Sequence, residues 1–173
     1  MTEIEIKTLS ASPNISEALG TMLMEVVANG GSVGFMQPVT RERATTFWNG
    51  VLAAADRGER IVLGAWEGDH LVATVSLLLD FPPNQPHRAE IAKMMTRPSH
   101  RGRGIASALM RRAEALAVEH TRTLLVLDTA ADEGASEFYE RLGYTLTGEI
   151  PDYALKPLGG LTATKIYWKR VGG

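Results

Sequence analysis

Hydrophobic positions along the chain change their period several times, and each change marks an element. Ile4 and Ile6 alternate with polar residues, which predicts a short first strand. Ser12-Pro13 then supplies an N-cap and a proline at the first helical position. Ile15, Leu19, Met22, Leu23, Val26 and Val27 follow at helical spacing up to Gly30. A second helix is predicted from a Thr40 cap to about Arg57, with Ala44, Phe47, Trp48, Val51, Leu52 and Ala55 inward and Gly58 closing it. Residues 60–67 and 71–80 then read as a hairpin around Gly68-Asp69, and Pro82, Pro83 and Pro86 make 81–87 a loop. Beyond it come a strand at 88–96, a basic loop at 97–103 and a helix at 104–120 with Ile105, Leu109, Ala113, Leu116 and Ala117 inward. A strand at 123–128, a short helix at 135–142, and strands at 144–150 and 162–168 around a Pro/Gly-containing loop complete the pattern.

Two helices, a meander of three strands, then strand, helix, strand, helix and a final hairpin describe one α/β domain with a mixed sheet over residues 1–173. No repeat or linker interrupts it. The chemistry is expected where strand gives way to helix.

Composition narrows the classes. With 173 residues, 45% hydrophobic and 22% charged, the chain has the makeup of a folded globule with one core. Zero Cys excludes thiol catalysis, disulfides and thiolate metal sites, and His70, His87, His100 and His120 are too dispersed to suggest a metal centre. A net charge of −2 does not point to nucleic acid. The most apolar stretch, 71–79, holds Thr74 and Ser76 and is far shorter than the roughly 18 residues of a membrane span. Without a basic start followed by an apolar run, the chain is expected in the cytoplasm. Monomer and homodimer both remain open.

Against this acidic background, Arg97, Arg101, Arg103, Arg111 and Arg112 crowd one segment that contains no acid. A solvated helix face would account for charge alone. However, Arg101-Gly102-Arg103-Gly104-Ile105-Ala106 follows a strand and opens a helix, where free N–H groups and the helix dipole favour an anion. A pyrophosphate cradle is the reading. A Walker loop is excluded because no Lys follows these glycines. A dinucleotide-binding turn is the rival, since Gly102-x-Gly104-x-x-Ser107 is close to its fingerprint and Asp128 ends the following strand. Against it stand the long Pro98-bearing loop, Ser107 at the third small position and a hairpin upstream.

Two other motifs are decoys. Gly30-Gly31-Ser32-Val33-Gly34 fits a hydrolase pattern but follows a helix, whereas a nucleophile elbow needs a strand before it. Asn14-Ile15-Ser16 fits a glycosylation acceptor without a secretory signal to expose it.

The segment Met94-x-Thr96-x-Pro98-x-x-Arg101-Gly102-Arg103-Gly104-Ile105-Ala106 resembles the acetyl-CoA motif of the GNAT superfamily of N-acetyltransferases. Leu125-x-Leu127 followed by Ala135-x-x-Phe138-Tyr139-x-x-x-Gly143-Tyr144 resembles the other half of that signature. The resemblance implies a mixed, mostly antiparallel sheet with splayed central strands flanked by helices, and acetyl-CoA as acetyl donor. The backbone of Met94, Met95 and Thr96 would hold the pantetheine arm, and Arg101, Gly102, Arg103, Gly104, Ile105, Ala106 and Ser107 the pyrophosphate. Asp132 stands where the family often has an Asn that helps hold that arm. Tyr139 would protonate the departing thiolate. Glu90 and Asp128, on the strands that would flank the thioester, are the candidate bases for the acceptor amine; an unpaired Glu90 would be costly in its apolar strand.

The likeness extends beyond the cofactor motif to Gly31-Ser32-Val33-Gly34-Phe35-Met36, Arg88-Ala89-Glu90 and Gly148-Glu149-Ile150-Pro151-x-Tyr153. It implies a small primary amine as acceptor, of an amino-acid-like antibiotic or toxin type, enclosed by Phe35, Met36, Trp48 and Tyr153. A protein N-terminal or lysine acetyltransferase, and a non-catalytic acetyl-CoA sensor, are the alternatives.

Overall fold

The computed structural model describes residues 2–173. Its elements are β1 (Ile4–Thr8), α1 (Pro13–Ala28), α2 (Arg41–Asp56), β2 (Arg60–Glu67), β3 (His70–Leu78), β4 (Arg88–Thr96), α3 (Ile105–Glu119), β5 (Leu124–Ala130), α4 (Ala135–Arg141), β6 (Thr145–Leu155) and β7 (Leu161–Arg170). The strands form one seven-stranded sheet in the order β1-β2-β3-β4-β5-β7-β6. Among the described strands only β4 and β5 pair in parallel. This is the mixed, mostly antiparallel α/β arrangement expected.

Local signals act where the sequence places them. The Ser12 hydroxyl accepts from the Ile15 N–H and the Thr40 hydroxyl from the Arg43 N–H, so α1 and α2 are both side-chain capped. Each face of the sheet has its own core. On one face α3 and α4 bury Ile105, Leu109, Ala113 and Tyr139 against Leu63, Val75, Ile91 and Leu127. On the other, α1 and α2 bury Leu19, Leu23, Trp48 and Leu52 against Val62, Leu71 and Met95.

Two expectations change. Residues 97–103 are not wholly irregular, because Pro98–His100 makes one 3₁₀ turn. The final loop is also shorter than expected: β6 runs through Pro151 to Leu155. It can do so because β6 is the sheet edge, where a missing N–H costs no ladder bond, and the register with β7 slips between Ile150 and Ala154.

Trp48 is 0% exposed and stacks edge-on against Phe47 at 5.1 Å within the α1–α2 core. It therefore belongs to the core and not to the cleft lining, contrary to its expected place at the acceptor site. The helical period puts it inward with Ala44 and Leu52, and inward here means core. Trp48→Ala should lower stability by about 3–5 kcal/mol in urea unfolding, as truncation of a buried aromatic does.

Candidate active site

The parallel pairing of β4 with β5 is short. β4 and β5 are in register over Arg88–Glu90 and Leu124–Val126, and then part. Each strand runs on with its other neighbour, β4 with β3 as far as Thr96 and β5 with β7 as far as Ala130. The edges that face each other past Glu90 and Val126 thus lack a sheet partner and present their backbone polar groups to the gap.

A bulge in β4 helps to open it. Ser76 pairs with Ala92 and Thr74 with Met95, so β4 carries one residue more than β3 over that interval. Lys93 sits there with φ of 51°. The extra residue bends the strand and reverses its alternation: Ile91 enters the α3-side core, whereas Met95 enters the α1–α2 core.

The gap is a cleft of about 750 Å³. Met94, Met95 and Thr96 of β4 line one side and Asp128 of β5 the other, and Phe35 and Tyr153 also line it. Arg101, Gly102 and Ala106 line it where α3 begins. Gly104 caps α3 in the left-handed region, at φ 76°, and offers no side-chain oxygen, so the first N–H groups of this helix stay free, unlike those of α1 and α2. A Cβ on Gly102 or Gly104 would meet nothing within 4 Å, which leaves room for a ligand against the main chain.

Gly104, Ile105 and Ser107 do not line the cleft, and Ile105 is core. Arg103 also turns away. Its guanidinium donates to Glu67 Oε1 at 2.7 Å, while His100 Nε2 lies 2.8 Å from Glu67 Oε2. Arg103 and then His100 hold the Glu67 carboxyl down to about 2. The tether of this loop to the β2–β3 turn therefore persists at neutral pH and weakens only as pH falls toward that value.

Glu90, Asp128 and Tyr139 all line the same cleft. Glu90 stands opposite Val126, so Asp128, two residues on, shares its face of the sheet. Glu90 is not left unpaired: Arg88 donates to its Oε1, and the side chain is 38% exposed. Arg88 and Glu90 are i and i+2 on one strand face, a pairing visible in the sequence. Asp128 is exposed and accepts from the Thr164 hydroxyl at 3.1 Å. Tyr139 is 7% exposed, and its hydroxyl makes no hydrogen bond within the described residues. Burial, and then the nearby Asp128 charge, push the phenol up to about 12.

Two further expectations fail geometrically. Met36 is 46% exposed and lies outside the cleft. Asp132 also stays out, held by the Thr162 hydroxyl at 2.8 Å and Lys156 Nζ at 3.1 Å. Its neighbour Glu133 does line the cleft and accepts from the Ser32 N–H at 2.8 Å, joining the loop after α1 to the loop before α4. Glu133, Thr164 and Lys93 are site residues that sequence motifs do not mark. For Lys93 alone there was a signal, a lysine within the otherwise apolar run 91–95. Among the described residues no group of three His, Asp or Glu side chains could hold a metal ion, and no helix is long and apolar enough to cross a membrane.

Residues 31–144 match the Acetyltransferase (GNAT) family. The chain belongs to that family. Solved structures share its fold at low identity. An N-acetyltransferase from Staphylococcus aureus Mu50 superposes with a TM-score of 0.83 at 17% identity, covering 99% of this chain and 100% of that one. The yncA protein of Salmonella typhimurium, solved with its cofactor acetyl-CoA, gives 0.79 at 17%, covering 98% and 94%. A ribosomal-protein-alanine N-acetyltransferase from Brucella melitensis gives 0.79 at 20%, covering 96% and 99%. In this GNAT chain the family match includes β4, α3 and α4, the elements that bound the cleft.

Proposed function

We propose that this GNAT protein transfers the acetyl group of acetyl-CoA to the primary amine of a small, amino-acid-like molecule. The observation that carries the reading is the parted β4–β5 pair, with open strand edges leading to an uncapped α3. An extended amide-bearing chain can pair with such an edge, and a pyrophosphate suits the free N–H groups beside Arg101 and Gly102. The space at Gly102 and Gly104 fits that assignment. Acetyl-CoA supplies an activated acyl thioester.

The residues of the chain supply the rest. The open β4 edge at Met94 to Thr96 orients the donor, and a backbone N–H there can polarise the acyl oxygen. Asp128 or Glu90 takes the proton from the acceptor amine. Tyr139 donates to the sulfur as it leaves. These three groups in one cleft speak against a non-catalytic sensor. The likeness of residues 31–36, 88–90 and 148–153 to tabtoxin resistance protein supports an amino-acid-like toxin or antibiotic as acceptor. We take all 173 residues to act as one catalytic domain in the cytoplasm, a reducing compartment that suits a chain without Cys.

One feature favours a second acceptor class, a protein N-terminus. Tyr153 and Leu155 on the cleft rim are each 56% exposed, so the rim is open enough to admit a chain. An amine panel with acetyl-CoA, followed by thiol release, tests the whole reading. Turnover of small amines supports it, and tight CoA binding with no turnover of any amine overturns it.

The cradle has its own test. Gly104→Val places a branched side chain where the main chain should meet phosphate, and the backbone strain there is about 1–2 kcal/mol. Acetyl-CoA affinity measured by calorimetry should fall about tenfold or more, in a variant whose thermal unfolding stays cooperative. Unchanged affinity would remove the pyrophosphate from this loop.

A further inference from the structure

The acceptor side of the cleft contains a cation that the proposed chemistry leaves unused. Strict alternation along β4 would send Lys93 toward α3 with Ala89 and Ile91. The bulge turns it to the opposite face instead, where its ammonium stands 5.7 Å from the Phe47 ring centroid. A Cβ placed on Gly34 would lie 3.4 Å from Nζ. Lys93, Gly34, Phe35 and Asp128 all line the cleft.

This lysine is half-buried, yet within the described residues it makes no hydrogen bond and no ion pair. Its neighbours in charge are Asp128 on β5, which stabilises the ammonium from beyond contact, and Arg60 on β2, which repels it. Burial lowers its pKa more than Asp128 raises it. Arg101, the other cation lining the cleft among the described residues, stands at the proposed pyrophosphate site, and nearby cations are occupied: Arg88 by Glu90 and Gln85, Arg97 by Glu25, Arg103 by Glu67 and Lys156 by Asp132. An ammonium with three unspent donors, partly withdrawn from water, is costly unless an anion completes it.

We propose that Lys93 anchors a carboxylate of the acceptor, so the acceptor is a molecule with a free carboxylate near its amine and not the N-terminus of a protein chain. This rests on the acetyl transfer proposed above. Lys93 and Asp128 form a plus–minus pair on one face of the cleft, and an amino acid zwitterion is its complement, with carboxylate toward Lys93 and ammonium toward Asp128. A protein N-terminus presents a neutral carbonyl where that carboxylate would be. The Phe47 ring beside the ammonium, packed edge-on against Phe35, partly shields Lys93 from water and strengthens its contact with an anion.

The test compares amines identical but for that group: L-alanine, L-threonine, L-methionine and L-glutamine, each against its carboxamide. Wild type, Lys93→Met and Lys93→Arg are assayed for thiol release with acetyl-CoA. Wild type should favour the acids by about tenfold or more in kcat/KM, the worth of one charge-assisted hydrogen bond. In Lys93→Met that preference should vanish, mainly through KM for the acids, while the carboxamides change little. Lys93→Arg should recover part of it. The anchor is overturned if wild type takes carboxamides as readily as acids, or if the preference survives in Lys93→Met. Should wild type release no thiol with any pair, acetyl transfer to these amines fails and the anchor is judged by binding. The same pairs are then titrated by calorimetry into wild type and Lys93→Met with CoA present. Acid-selective binding that needs Lys93 upholds the anchor, and its absence overturns it.

Discussion

Tyr139→Phe should lower kcat between about ten- and a hundredfold while leaving KM for both substrates within about a factor of two. The substitution is unusually clean here. The ring packs edge-on against Phe138 at 5.0 Å and Tyr144 at 6.0 Å and lies 6.1 Å from Tyr167, so phenylalanine fills the same space. The hydroxyl has no protein partner to orphan, so the loss is confined to the reaction. Its size follows from proton affinity. With the phenol pushed up to about 12 by burial and by Asp128, Tyr139 keeps its proton through the working range. A thiol ionises near 8.5, so full proton transfer from this phenol to a thiolate is uphill. What Tyr139 can supply is a hydrogen bond to the sulfur as charge grows on it, worth about 1.5–3 kcal/mol. Because the folded pKa is raised, the donor form is lost only as pH climbs toward about 12. Any alkaline fall in kcat near neutrality must belong to another group and should persist in the variant. A fully active Phe variant would show that this hydrogen bond is dispensable and that water stabilises the departing sulfur.

The contrast between Trp48 and Phe35 shows where sequence reading runs out. Both lie in apolar surroundings, and periodicity marks Trp48 correctly as inward, but inward can mean core or cleft. Only the position of α2 over β2 decides, and it buries Trp48 among Leu19, Leu23 and Leu52. Caps were legible because Ser12 and Thr40 act within three residues of themselves. The hairpin at Gly68 was legible for the same reason. The parting of β4 from β5 was expected through the family resemblance alone, since it depends on pairings between residues far apart in sequence. Lys93 was hidden for a related reason. Its direction is set by a one-residue surplus against β3, and alternation within β4 predicts the wrong face. Asp132 illustrates the converse: its motif position is local in sequence, but Thr162 and Lys156, from the β6–β7 hairpin region, claim its carboxylate.

Replacing both carboxylates, Glu90→Gln with Asp128→Asn, should lower kcat at saturating amine by about 10²- to 10⁴-fold, the range expected when a general base is removed. The single variants should not be equal. One oxygen of Glu90 is committed to Arg88, and Glu90 sits in the last β4–β5 pair, opposite Val126. Asp128 stands beyond the last β4–β5 pair, and its one hydrogen bond, from Thr164, is to Oδ2, leaving Oδ1 open. Asp128→Asn should therefore carry most of the loss in kcat. Glu90→Gln should act more weakly, and partly by releasing Arg88 from its place over the Phe81 ring. The variants also separate two uses of the same charge. A carboxylate that only attracts a cationic amine shows itself in KM, whereas one that removes the proton shows itself in kcat and in its pH dependence. An amine is mostly protonated near neutrality and has no lone pair in that form, so loss of the base should be partly relieved as pH rises and the amine deprotonates in solution. If the double variant kept the wild-type kcat from about pH 6 to 9, neither residue would be the base, and proton removal would have to pass through water alone.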